Sequence, residues 1–317
     1  MAGDRRGKGG KGSGGKGSGG KRSGGKRPAH KSSRSPAGKP SGAPAADARS
    51  SRPPRGRERP RGSQLATPNY PDRLPGRNLV LAALRMSGRV RSIWVDERAR
   101  GGKIDALRLE AAEAGITVKD VPRAHLDEVS DGTVHNGVVG FADGLPQTTL
   151  RRVLEAAFGR QEDPLILLLD QVQYEQNLGA ILRTAAAVGA HAIVIPTRRG
   201  ASLTPTAQRI AMGGAEEVPV VREGMMSALA TLRREGVRVV GTDAHAQHSF
   251  TELDLTGPLA IVMGGEDRGL SSSVAERCDA VARIPMVESR AVTSLNVSVS
   301  TALFLYERVR QVGLTRP

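Results

Sequence analysis

From Leu65 onward the chain alternates between short apolar runs and stretches in which apolar residues return every third or fourth position, the signature of mixed strands and amphipathic helices. Over residues 71–145 the spacing predicts a helix capped by Asn78 and running through Leu84, then a strand over Arg91–Val95 with Ile93 and Val95 on one face. A helix over Ile104–Ala114, a strand over Ile116–Val121, a short helix over His125–Val129 and an apolar strand over Val134–Ala142 follow. This makes a small α/β unit. Residues 146–163, rich in Gly, Pro and charge around one short helical pattern, read as a connection.

The alternation is cleaner over 164–317. Leu165–Leu169 is a fully apolar strand, and Leu178, Ile181, Leu182, Ala185 and Val188 form a helical stripe. Strands are expected at Ala192–Ile195, Val218–Val221, Val237–Gly241, Leu259–Met263 and Val281–Ile284, with helices at Thr204–Met212, Met225–Arg234, Ser271–Arg277 and Leu295–Val312. Such order gives an α/β fold with a mostly parallel sheet covered on both faces. Ligands in sheets of this kind sit beyond the carboxyl ends of the strands.

The segment before Leu65 breaks this pattern: it has no Val, Ile, Leu, Phe, Tyr or Trp. Residues 1–70 are therefore expected to form a disordered basic tail, since so little apolar surface cannot offset the entropy of ordering. Residues 1–64 hold 18 Lys and Arg against three acids, whereas the remaining residues hold 29 of each, so the whole net charge of +15 belongs to the tail. Residues 11–25 repeat a pentapeptide of one or two cations on a Gly/Ser chain three times. A mobile cationic chain of this sort suits a polyanion-binding arm, with a plain solubility tail as the alternative. Without an aromatic residue it would hold RNA by charge and read no bases.

Composition narrows the chemistry further. No apolar run approaches the ~20 residues of a membrane span, and no apolar stretch follows the basic start as in a secretory signal. One cysteine, Cys278, allows no internal disulfide and no cysteine-rich zinc site; no metal site is expected, and a reducing cytoplasm is the default location.

Three segments that follow expected strands carry candidate chemistry. Gln176–Thr184 offers Asn177, a good N-cap residue type, and Arg183 six residues on. Met263–Leu270 contains Gly264, Glu266 and Gly269, with glycines that let a backbone approach closely, but lacks the dinucleotide G-x-G-x-x-G pattern. In the third, Ile284-Pro285-Met286 precedes Ser294-Leu295-Asn296, where Ser294 can cap the last helix and Asn296 and Ser300 share a face. Taken singly, each segment reads first as an ordinary cap or turn with solvated side chains.

Taken together, Asn177…Arg183, Gly264-x-Glu266-x-x-Gly269 and Ile284-Pro-Met286…Ser294-Leu-Asn296 resemble the three motifs of the TrmH/SpoU group of RNA ribose 2′-O-methyltransferases in the SPOUT superfamily. Arg209–Glu216 resembles a further element, and Pro75–Asn78 with Val134–Val138 resembles the small substrate-binding domain of the RlmB-like branch, which methylates a guanosine of 23S rRNA. Two departures stand out: Tyr174-Glu175 replaces the more familiar Asp-Pro, and residues 287–293 are longer and carry Glu288 and Arg290 where glycine is commoner.

The resemblance implies a C-terminal trefoil-knot domain, a small N-terminal RNA-binding domain and a homodimer. It implies S-adenosylmethionine held by Gly264, Ile284, Met286, Ser294, Leu295 and Asn296, with Asn177, Arg183, Glu266 and Asn296 around the reacting ribose. Arg198, Arg199 and Arg209 are candidate RNA contacts, with a solvated arginine cluster as the plainer reading. The same family features admit another rRNA or a tRNA target, or a catalytically silent RNA-binding or ribosome-assembly protein.

Overall fold

The computed structural model describes residues 67–198, 200–265, 269–287 and 294–313. The expected tail falls almost wholly outside them, as do Arg199, Glu266 and residues 288–293.

Two sheets organise the described chain. The smaller is built from β1 (Asp72–Pro75), α1 (Arg77–Met86), β2 (Val90–Asp96), α2 (Gly102–Glu113), β3 (Thr117–Val121), α3 (Arg123–Val129) and β4 (Val138–Ala142). Its strand order is β1-β4-β2-β3, with β2 and β3 parallel and β4 antiparallel to both β1 and β2. Leu74, Val80, Ile93, Val95, Leu107 and Val138 fill one face. On the other, Trp94 meets Phe141 edge-on with ring centroids 5.0 Å apart, beside Val121 and Leu126.

Several expectations for this unit shift. The four-residue strand β1 carries too little alternation to be read from sequence, and Gly76 at φ 108° occupies the position before α1, so Asn78 lies inside that helix. The strand expected from Val134 begins only at Val138. Before it, Asn136 and Gly137 both adopt positive φ, and the N–H of Val138 donates to the carbonyl of His135 at 3.0 Å. His135 holds this turn: its Nδ1 accepts from the N–H of Gly137 at 3.1 Å, and its Nε2 lies 2.8 Å from Asp127.

The larger sheet begins after α4 (Leu150–Gly159), whose Leu150, Val153 and Leu154 pack into its core. It then runs through β5 (Leu165–Leu169), α5 (Glu175–Ala187), β6 (Ala192–Ile195), α6 (Pro205–Ala211), α7 (Gly214–Glu217), β7 (Val220–Arg222) and α8 (Met225–Arg234). After these come β8 (Arg238–Thr242), β9 (His248–Ser249), β10 (Leu259–Met263), α9 (Ser272–Ala275), β11 (Ala280–Arg283) and α10 (Val297–Val312). The order β7-β6-β5-β10-β8-β11-β9 is parallel at every pairing. β5 and β10 are apolar at all five positions because both faces are covered, one by α5 and α10, the other by α4 and α8.

A buried latch joins the two sheets. Arg89 is 4% exposed, and its guanidinium donates to Glu216, to Asp72, to Gln208 and to the carbonyl of Asp143, at 2.6–3.2 Å. The Glu216 side chain is fully buried. Burial opposes the charge on Arg89, but the Glu216 and Asp72 carboxylates outweigh it and raise the guanidinium above its usual pKa. At the same seam a Cβ on Gly213 would fall 2.6 Å from Ala82, so α1 approaches the turn before α7 more closely than any side chain permits.

Candidate active site at the strand ends

β5, β10, β8 and β11 end side by side. Leu169 pairs with Met263, Val262 with Gly241 and Ala282 with Thr242, so the chain leaves the sheet at Asp170, Gly264, Asp243 and Ile284 along one edge. This is the edge where parallel sheets hold ligands.

The loop after β10 is shaped by glycine. Gly265 and Gly269 exchange two backbone hydrogen bonds of 3.0 and 3.1 Å and fold the loop back on itself. A Cβ on Gly264 would lie 2.4 Å from the Gly269 carbonyl carbon, and one on Gly265 would lie 2.7 Å from the Gln171 oxygen. Neither position has room for a side chain. Asp170, 5% exposed, pins the far end of this loop to β5 by accepting from the N–H and the hydroxyl of Ser271, both at 2.9 Å. Sequence reasoning missed this clamp; the only signal was an acid directly after an apolar strand.

The helices α5 and α10 meet at their N-terminal ends. The Asn296 amide donates to Oδ1 of the buried Asn177 at 3.1 Å, while its own Oδ1 accepts from the N–H and hydroxyl of Ser298 at 2.9 and 2.6 Å. The expected caps therefore change. Tyr174, not Asn177, precedes α5, and Asn296, not Ser294, caps α10. Asn177 turns inward because a partner 119 residues away in the chain satisfies it, which local spacing cannot reveal.

Arg183 is exposed on α5, about 9 Å along the helix axis from Asn177 at the usual rise per residue. It makes no hydrogen bond or ion pair with another described residue. The backbone around it is tightly set. A Cβ on Gly179 would clash with the Ala207 oxygen at 2.6 Å, and one on Gly214 with the Leu182 oxygen at 2.7 Å, so α6 and α7 lie hard against α5.

Ile284 and Leu295 are half-buried, Met286 and Ser294 are exposed, and the backbone N–H groups of Ile284 and Leu295 donate to no other described residue. Free backbone donors beside an apolar surface suit a nucleoside-bearing ligand. Cys278 is no nucleophile here: burial, with Asp279 and Asp170 nearby, pushes its thiol up to about 11. Of the arginines expected at RNA, Arg198 is exposed after β6 and Arg209 sits on α6. No group of three or more His, Cys, Asp or Glu placed to hold a metal occurs among the described residues.

These strand-end loops lie within a stretch that matches a methyltransferase family. Residues 164–306 match the SpoU rRNA Methylase family, and residues 73–148 match the RNA 2′-O ribose methyltransferase substrate binding domain. The chain belongs to the SpoU family. It is 38% identical over 241 residues to the putative TrmH family tRNA/rRNA methyltransferase YacO of Bacillus subtilis, covering 76% of this chain and 96% of that one. It is 41% identical to the 23S rRNA (guanosine-2′-O-)-methyltransferase RlmB of Pseudomonas putida, covering 72% and 91%. Among solved structures, the SpoU methyltransferase AviRb of Streptomyces viridochromogenes in complex with AdoMet aligns with a TM-score of 0.63 at 27% identity, covering 75% of this chain and 89% of that one.

Proposed function

We propose that this protein transfers a methyl group from S-adenosylmethionine to a ribose 2′-hydroxyl of RNA, with a guanosine of 23S rRNA as its substrate. The observation that carries the reading is the Asn177–Asn296 contact, which brings the first and third motifs together at the edge where the glycine loop also emerges.

When bound, the cofactor supplies an electrophilic methyl group on a sulfonium. The chain's own residues do the rest. Gly264, Ile284, Met286, Ser294, Leu295 and Asn296 would hold the cofactor through backbone groups and the asparagine amide, with Glu266 a further polar contact from the glycine loop. Asn177 fixes the start of α10 against α5. Arg183 would bind the phosphate beside the reacting ribose and the negative charge that develops on its oxygen, easing loss of the hydroxyl proton. A guanidinium is a poor proton acceptor, so this electrostatic role suits it better than that of a base.

Three wider features belong to the same reading. Residues 164–317 would form a trefoil knot, supported by the insertion of β10 between β5 and β8 before the chain returns to β11 beyond β8. Two copies would pair through α10, whose Val299, Leu303 and Tyr306 form an exposed stripe at helical spacing. The enzyme would work in the cytoplasm, with residues 1–64 as an RNA tether. Deleting them should weaken RNA binding and flatten its salt dependence while leaving cofactor affinity unchanged.

The name of the Bacillus relative also admits tRNA as a target. Side-by-side methylation of unmodified 23S rRNA and bulk tRNA separates the two. The reading expects rRNA to be the better acceptor by at least about tenfold, and a preference for tRNA would overturn the assignment to 23S rRNA.

A further inference from the structure

A second concavity, of about 650 Å³, lies at the seam between the sheets. Its walls are the loops after β1, β2 and β3 with the start of α2, and α6 opposite. Six cations line this cleft, Arg77, Arg98, Arg100, Lys103, Arg123 and Arg209, against the single carboxylate of Asp96. Most of it falls within the residues that match the substrate binding domain, and no Phe, Tyr or Trp lines it. It offers charge, but no ring on which a nucleobase could stack.

Rings are scarce throughout the chain, which has one Trp, three Tyr and four Phe. Trp94 and Phe141 pack on each other in the smaller sheet's core, and Phe250 and Phe304 pack on each other in the larger. Phe158 lies on α4, Tyr306 on α10 and Tyr70 before β1. Only Tyr174 is both exposed, at 59%, and placed on a segment that leaves the strand-end edge, directly before α5.

The backbone around Tyr174 is fixed on both sides. Upstream, Asp170 is clamped to Ser271, and the carbonyl of the buried Val172 accepts from the N–H of Ala201 at 2.8 Å. Downstream, the Tyr174 carbonyl accepts from the N–H groups of Asn177 and Leu178 at 3.1 and 3.2 Å. The Glu175 carboxylate accepts from the hydroxyl of Thr204, the cap of α6. The ring itself makes no hydrogen bond or ring contact with another described residue. A rigid ring on a fixed stem loses little conformational freedom when a flat partner covers it. Tyr174 and Glu175 are also the pair at which the chain departs from the motif it resembles: Glu175 pins the turn and Tyr174 presents the ring.

We infer that Tyr174 is a specificity-determining residue whose ring stacks on the base of the nucleotide that accepts the methyl group. The inference rests on the RNA-methylating function proposed above. A base splayed out of single-stranded RNA stacks readily on an aromatic face, and a purine brings the larger surface. The cofactor's adenine is the poorer match. The groups assigned to the cofactor follow β10 and β11, whereas Tyr174 follows β5, begins the helix that carries Arg183 and is tied through Glu175 to α6. Beside Asn177, the ring selects an unstacked nucleotide by its flat surface, a choice that charge alone cannot make.

The test compares the full chain with its Y174A, Y174L and Y174F variants in steady-state methylation of unmodified 23S rRNA or bulk tRNA, whichever the wild type methylates better. Y174A and Y174L should each lower kcat/KM for RNA by about tenfold, within the range for loss of one stacked base. Y174F keeps the aromatic face and should stay within about threefold of the wild type. Calorimetry with S-adenosylmethionine and the thermal midpoint should give the same values in all four proteins. Leucine supplies bulk without a flat π-face, so wild-type kcat/KM in Y174L would reduce Tyr174 to apolar packing and overturn the inference. Wild-type kcat/KM in Y174A would overturn it too, as would equal losses in Y174F and Y174A, which would assign the role to the hydroxyl. Weakened cofactor binding in Y174A with an unchanged KM for RNA would put the ring on adenine instead. All of these outcomes leave the functional reading standing. Failure of the wild type to methylate either RNA would strike that reading, and the stacking role with it.

Discussion

The two concavities are built from different materials. The strand-end crevice is made of backbone, glycine and paired amides: Gly264 and Gly265 have no room for a side chain, and Asn177 and Asn296 satisfy each other. The seam cleft is made of long cationic side chains on short loops. Close fit to a small reactive ligand demands fixed backbone, whereas hold on a polyanion demands charge and tolerates looseness. The contrast separates a site shaped by close-fitting backbone from one shaped by charge.

Breaking the latch between the sheets should have the largest effect. Arg89→Ala leaves the fully buried Glu216 carboxylate without its guanidinium, and removing one partner of a buried pair typically costs about 3–5 kcal/mol. Urea unfolding should report a loss of that order, and a loss below about 1 kcal/mol would show that the latch contributes little. Next in size, Arg183→Ala should lower turnover at least about a hundredfold, as for loss of a group acting on transition-state charge, while calorimetry with S-adenosylmethionine gives an unchanged affinity. Turnover within about threefold of the wild type would remove Arg183 from the mechanism.

Cys278, half-buried against the core on the α4 and α8 side of the larger sheet, tests the packing there. Its thiol, raised from an ordinary 9.0 to about 11, stays protonated in the folded chain while the unfolded chain ionises. Stability should therefore be full below pH 9 and decline as pH rises toward 11. At pH 8 the native thiolate population should be roughly a hundredfold below that of the unfolded chain. Iodoacetamide labelling of this sole cysteine, native against urea-unfolded, should show at least that ratio, and equal rates would contradict the burial. Smallest of all, Asn296→Ala should cost about 1 kcal/mol through the lost cap of α10, read as a lowered thermal midpoint.

The crevice was far more legible in the sequence than the cleft, for a physical reason. Apolar runs such as Leu165–Leu169 and Leu259–Met263 announced central parallel strands, and the residues after them had to lie along one edge. The motif positions Asn177, Gly264 and Asn296 inherit their juxtaposition from that topology. What local spacing could not give was who satisfies whom. Asn177 and Ser294 both looked like caps, yet the long-range amide pair assigns the cap of α10 to Asn296 and turns Asn177 inward. Nothing in local spacing marks Arg89, after Gly88; its role appears only where Asp72, Gln208 and Glu216 converge on it. The cleft cations are scattered in sequence; Arg77 to Arg123 gather on segments around the smaller sheet, and Arg209 joins them from α6.

The central claim, that the acceptor is a ribose hydroxyl, has one direct measurement. Unmodified 23S rRNA is incubated with the full chain and methyl-labelled S-adenosylmethionine, then digested to completion in alkali. Methylation of a 2′-oxygen blocks cleavage at that linkage, so the label should appear in an alkali-resistant dinucleotide whose 5′ residue is guanosine. Label released only as mononucleotides, or none incorporated, would contradict it.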